Sequence, residues 1–310
     1  MAALVLLPIE TSDAGWLSDL FKGSSKPDKS PKQAAAAKRA RPPKPATVAK
    51  PAASPKPRPV RLAALGPIAL GPSAFAAPSC DPAKFRIVVD VGHTAESAGA
   101  RSARNVSEFS FNHRLAQRIE QQLKADGFAE TRLLLTEGKA RRSLVKRVAA
   151  ANDLQANLFL SIHHDSVPHK FLEEWEFEGK KNRFSDRFGG YSVFVSRRNP
   201  DFKTSLAFAE LIAREMKALG LRYAEQYSQP IMGRHQRPLL NRETGVYRYD
   251  ELVVLRTTSM PAVLLEAGSI INRDEELEMD SPERRNIISS GVAAAVKQFC
   301  DRRWAILGPV

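Results

Sequence analysis

The sequence predicts an α/β protein with a mostly parallel twisted sheet covered by helices on both faces, forming a single domain behind a disordered N-terminal leader. Three observations lead to this. From residue 85 onward, strand-like and helix-like segments alternate, as in βαβ units. The early strand-like segments are continuously apolar, as strands buried on both faces are. Residues 1–79, by contrast, are a Pro/Lys/Ala mixture with too little apolar surface to offset the entropy of ordering.

FRIVVDV (85–91) predicts a buried central strand. Ser107 predicts an N-cap, and Phe111, Leu115, Ile119 and Leu123 recur at helical spacing until Gly127. TRLLLT (131–136) predicts a second strand, RRSLVKRVAAAND (141–153) a second helix and LFLSIHHD (158–165) a third strand. After a less regular stretch, YSVFVS (191–196) predicts a fourth strand, and SLAFAELIAREMKALG (205–220) a helix ended by glycine. Residues 221–250 read mostly as loop. LVVLR (252–256) and AVLLEAG (262–268) are apolar strand-like runs, and RRNIISSGVAAAVKQFC (284–300) predicts a closing helix.

The formal charge of +13 invites a nucleic-acid reading until it is divided along the chain. Residues 1–79 hold twelve Lys/Arg and four Asp/Glu, or +8, leaving +5 for the remainder, and they hold thirteen of the 21 prolines. The charge therefore belongs largely to a tail over 1–60, which has almost no aromatic residues for stacking on bases. We expect no nucleic-acid partner, and at most a weak attraction of this tail to anionic wall or membrane polymers. Residues 61–79 read as a signal-like segment or linker: arginines flank Pro59-Val60, a short apolar run follows, and Ala74-Phe75-Ala76 fits a small-x-small cleavage pattern. The run is too short to span a bilayer, and export would imply that translation starts later than Met1, for example at Val48. The catalytic domain is expected over 80–310. Cys80 and Cys300 bracket it, either as one disulfide or as two buried thiols.

Chemistry collects where elements end. His93 closes the first strand, His163 the third, and Glu266 stands at the end of AVLLEAG. Glu108 lies in the first turn of its helix, on one face with Asn112, Leu115 and Ile119. Ligands of open α/β sheets sit beyond the carboxyl ends of the strands, so the four groups converge. Two histidines and a carboxylate suit zinc with one position left for water, and a further carboxylate can move a proton to a leaving amine. Strand alternation favours His163 over its neighbour His164, because Phe159, Ser161 and His163 share a side.

IVVDVGHTAESAGARS, VSEFSFNHRLAQRIEQQL, LVKRVAAAN, LFLSIHHDS and VVLRTTSMPAVLLEAGSIINRDEE occur in that order over about residues 85–300. In this the chain resembles the zinc-dependent type 3 N-acetylmuramoyl-L-alanine amidases of bacterial cell walls. The resemblance implies that His93, Glu108 and His163 hold one zinc ion and that Glu266 is the catalytic glutamate. It also implies hydrolysis of the amide joining N-acetylmuramic acid to L-alanine in peptidoglycan, in the periplasm or outside a bacterial cell. The chain reads DVGHTA and SIHHDS where the family usually reads DPGHGG and SIHANA. His164 and Asp165 are therefore candidates for supporting or substrate contacts, and Arg187 and Arg256 for holding substrate carboxylates.

Residues 165–190 read as a long insertion, either a lid or a wall of the substrate groove. Some amidases that this chain resembles carry a glutamate segment that blocks the zinc until an activator protein binds, and Glu173, Glu174, Glu176 and Glu178 could supply one. The competing readings are a zinc carboxypeptidase on stem peptides and a non-catalytic peptidoglycan-binding or regulatory domain.

Overall fold

The computed structural model describes residues 80–307, with side chains through Asp301; the predicted tail (1–60) and signal-like segment (61–79) lie outside the described residues. Strand β1 (Ile87–Val91) is buried at every position. Helix α1 (Glu108–Ala125) follows, then β2 (Thr131–Leu134), α2 (Ala140–Asp153) and β3 (Leu158–Asp165). Strands β4 (Glu173–Phe177) and β5 (Lys180–Phe184) form a separate hairpin. Next come β6 (Ser192–Val195), α3 (Phe202–Ala218), β7 (Leu239–Asn241) and β8 (Val246–Arg248). Short helix α4 (Val253–Thr257), β9 (Ala262–Ser269), α5 (Arg273–Asp280) and α6 (Pro282–Leu307) complete the chain.

Seven strands form the main sheet in the order β2-β1-β3-β9-β6-β8-β7. β1 runs parallel to β2 and β3, β3 to β9, and β6 to β8, whereas β6 is antiparallel to β9 and β7 to β8. The sheet is thus mostly parallel, as predicted. Because β6 is reversed, its start lies beside the end of β9, so the loops before β6 and after β9 share one edge.

Alternate residues feed two cores. Ile87, Val89, Val91, Leu160, Ile162, Val263 and Leu265 face one side, against Phe111, Leu115 and Ile119 of α1, Phe208 and Ile212 of α3, and Val292 and Val296 of α6. Val88, Phe159, Phe194, Tyr247 and Leu264 face the other, with Ala151 of α2 and Leu255 of α4. Each such side chain stabilises the fold by roughly 1.5–3 kcal/mol relative to exposure. Cys80 and Cys300 form a disulfide that ties the start of the domain to α6 across 220 residues, with Cα atoms 5.5 Å apart. Among the described residues no helix is long and apolar enough to cross a membrane.

Three expectations need correction. LVVLR is largely helix α4, not a strand, because a five-residue apolar run has no period that separates helix from strand. Residues 221–250 contain β7 and β8 as well as 3-10 turns. The insertion is not irregular: EEWEF and KKNRF pair through a turn in which Glu178 (φ 51°) and Gly179 (φ 70°) are both left-handed, as a tight hairpin turn requires. Ser107 is the N-cap of α1, yet its hydroxyl meets Ser110 instead of a backbone amide.

Candidate metal centre

β1 delivers His93 two residues beyond its last paired residue, with a left-handed backbone (φ 67°) that non-glycine residues seldom adopt. The first turn of α1 delivers Glu108, fully buried at the top of the stripe formed by Phe111, Asn112 and Leu115. β3 delivers His163 at its register partner Glu266 of β9. His93, Glu108 and His163 offer ligand atoms all within 4.8 Å of one another, and all three residues are buried. His93 Nε2 lies 3.0 Å from Glu108 Oε2, and His163 Nδ1 lies 3.0 Å from Glu108 Oε1.

Electrostatics favour a ligating carboxylate at Glu108. Burial would raise the Glu108 carboxyl, but the charges and hydrogen bonds of His93 and His163 outweigh it and hold Glu108 well below the usual carboxylate range. Burial lowers His163 below its ordinary value, against the opposing pull of Glu108. A carboxylate and neutral imidazoles are the ligating forms. Two glycines make the space. A Cβ at Gly92 would come 2.5 Å from His163 Nε2. Gly99 has φ +76°, and a Cβ there would strike Glu108 Oε2 and come 2.7 Å from the His93 ring.

A second set of groups orients the carboxylate. The Ala100 amide donates to Glu108 Oε2 at 3.0 Å. The Asn112 side-chain amide donates to Glu108 Oε1 and to the Gly92 carbonyl, each at 3.2 Å. Burial pushes His164 down to about 3, so it is neutral and places Nδ1 2.8 Å from Asn112 Oδ1. His164 thus faces Asn112, one step behind the cluster, and His163 is the residue beside Glu108.

Glu266 is fully buried, and neither carboxylate oxygen has a hydrogen-bond partner among the described residues. Burial first, then the charges of Asp165 and Glu108, raise it well above the ordinary carboxylate range. A buried, unpartnered carboxylate is costly unless something else compensates it; a cation at the adjacent cluster would do so. The donor set and the unpartnered carboxylate beside it therefore fit a divalent metal.

The remaining predicted residues fall elsewhere. Asp165 is buried, accepts from the Tyr227 hydroxyl and the Ser166 amide, and is pushed up to about 7 chiefly by burial. Arg187 is exposed and lies over the Phe188 ring. It lines a groove of about 880 Å³ that also includes Ala267, next to Glu266, with Tyr191, Gln226 and Glu275. Arg256 is half-buried on α4 and meets Glu251 at 3.4 Å. Glu173, Glu174, Glu176 and Glu178 are all exposed, and Glu174 is 3.8 Å from Arg183 across the hairpin. On the other face of that hairpin Trp175 donates to the Ala103 carbonyl, within the loop that leads into Glu108.

Sequence reasoning missed Tyr227 and Arg147. Tyr227 sits in a segment read as loop. Arg147 carried a signal: Ser143, Arg147 and Ala151 form the buried stripe of α2, and an arginine on such a stripe has a buried partner to find.

Comparison with known proteins agrees with this geometry. A Buchnera aphidicola chain provisionally named an N-acetylmuramoyl-L-alanine amidase is 22% identical over 227 residues, 70% of this chain and 97% of its own. The catalytic domain of CwlV, an N-acetylmuramoyl-L-alanine amidase of Bacillus (Paenibacillus) polymyxa, superposes with a TM-score of 0.51 at 27% identity, covering 70% of this chain and 98% of that one. Ami1 of Mycobacterium smegmatis shares the fold, with a TM-score of 0.54 at 20% identity over 71% of this chain and 98% of its own. The N-acetylmuramoyl-L-alanine amidase family profile matches residues 87–298, spanning β1, the His-Glu-His cluster and Glu266, and the chain belongs to that family of peptidoglycan amide hydrolases.

Proposed function

We propose that this amidase is zinc-dependent, with His93, Glu108 and His163 as the ligands and Glu266 as the group that moves the proton. The observation that carries the reading is the pairing of a closed His-Glu-His set with an unpartnered buried carboxylate on the neighbouring strand. A zinc ion held there would polarise the amide carbonyl and acidify a water molecule. Glu266 accepts a proton from the attacking water and returns it to the leaving nitrogen of L-alanine. The carbonyl carbon gains the C–O bond and loses the C–N bond, giving an N-acetylmuramic acid carboxylate and a free stem-peptide amine. His164 and Asn112 keep Glu108 aimed, and Arg187 stands in the groove where a stem-peptide carboxylate could reach it.

The substrate places the enzyme outside the cytoplasm, in the periplasm or secreted, and the Cys80–Cys300 disulfide supports an oxidising compartment. Residues 61–79 would then be an export signal and 80–310 the catalytic domain. The test is digestion of bacterial peptidoglycan by the purified protein with and without a chelator, followed by mass spectrometry. Free stem peptides beginning with L-alanine, lost with chelator and restored by zinc, are the expected products. Such peptides released undiminished in chelator would refute zinc dependence.

A further inference from the structure

Arg147 projects from α2 and is 2% exposed, against a fully buried Asp90. Its guanidinium divides among three partners. Nε donates to Thr136 Oγ1 at 3.0 Å, beyond the end of β2. Nη1 donates to Asp90 Oδ2 at 3.3 Å, and that oxygen also accepts from Ser161 of β3 at 2.7 Å. Nη2 donates to the main-chain carbonyl of His93.

We propose that Arg147 is a positioning residue for the metal centre, holding the His93 peptide in its left-handed conformation so that the imidazole faces Glu108. This rests on His93 being a zinc ligand. Three observations carry it. His93 has φ 67° and is the one described non-glycine residue of the cluster with such a backbone, a conformation that persists only where the surroundings over-determine it. Its carbonyl is bonded by the one arm of the guanidinium that plays no part in joining Asp90 or Thr136. And burying a guanidinium–carboxylate pair is no better for stability than apolar packing of the same volume, so stability alone does not explain an arginine on the Ser143–Ala151 stripe. Lysine carries the same charge but lacks the planar fork; it can pair with Asp90 and cannot hold the His93 carbonyl as well.

The experiment measures zinc affinity of the whole protein by competition with a chromogenic chelator, alongside its melting temperature. For Arg147→Lys the expected result is a rise of about 10- to 100-fold in the zinc Kd, the usual scale for losing a group that orients a ligand. Activity should fall at limiting zinc and recover in excess zinc. The comparison variant is Asn199→Ala, which removes a buried bond to the Met260 carbonyl ahead of β9, at the opposite end of the strand from Glu266. It should lower the melting temperature and leave the zinc Kd unchanged. If Arg147→Lys does not fold, the double variant Asp90→Asn/Arg147→Gln removes both buried charges and is read in the same way. A zinc Kd within twofold of wild type in the folded arginine variant, with only the melting temperature lowered, would overturn the proposal and leave the metal reading standing. Wild-type protein that binds no zinc would overturn both.

Discussion

His163 and Glu266 are direct neighbours in the parallel ladder between β3 and β9, and just past them the register shifts, so that Asp165 pairs with Ser269. Adjacent strands lie about 4.8 Å apart, which sets Glu266 beside the cluster. Asp165 accepts from the Tyr227 hydroxyl, and Glu266 has no hydrogen-bond partner of its own among the described residues.

Replacing Glu266 by Gln should separate binding from chemistry. The shape is kept and the proton carrier is lost, so kcat should fall by about 10²–10⁴-fold with zinc stoichiometry unchanged. Retention of more than a tenth of wild-type kcat would remove Glu266 from the mechanism.

The same substitution should change stability with pH in chelator-treated protein. Burial raises the folded-state value of Glu266, so its ionisation costs stability once pH exceeds the unfolded value of about 4.3. The cost grows as pH rises towards the folded value and is constant beyond it. Glu266→Gln should therefore match wild type near pH 4 and exceed it at neutral pH, by on the order of 1–3 kcal/mol. Urea melts at the two pH values measure this; an advantage that shrinks as pH rises contradicts the assignment.

Asn112→Ala removes the donor that aims Glu108 Oε1 and leaves His164 without its partner. Zinc affinity should weaken by roughly tenfold or more, measured by chelator competition. An unchanged affinity would mean that the Ala100 and His164 amides suffice to hold the carboxylate.

Gly99→Ala combines a left-handed backbone with a Cβ that meets two ligands. It should cost about 1–3 kcal/mol of stability and abolish stoichiometric zinc binding. An alanine variant with wild-type zinc stoichiometry would show that the 94–107 loop yields easily.

Reduction of the Cys80–Cys300 bond, or Cys300→Ser, frees a loop of 220 residues and should lower unfolding free energy by about 2–5 kcal/mol. The disulfide joins the segment ahead of β1 to α6, whereas the cluster lies at the C-terminal ends of β1 and β3, so kcat at low temperature should not move.

The sequence by itself determined the parts of the site that depend on where elements end. His93, His163 and Glu266 follow or finish apolar strands, and Glu108 opens a periodic helix; an element boundary fixes which edge of the sheet a residue reaches, and periodicity alone reveals boundaries. It also determined the two-faced parallel core, because continuous β-branched runs leave few other ways to bury themselves. Only the tertiary structure decided the direction of β6, the hairpin at 173–184 and the helical state of LVVLR. Charged cross-strand pairs such as Glu174 and Arg183 look solvated until the register joins them, and a five-residue run has no readable period. It likewise decided that Arg147 would reach His93 and that His164 would reach Asn112. Those contacts join residues 54 and 52 positions apart, and the strand order and ladder register that bring such residues together have no local signature in the chain.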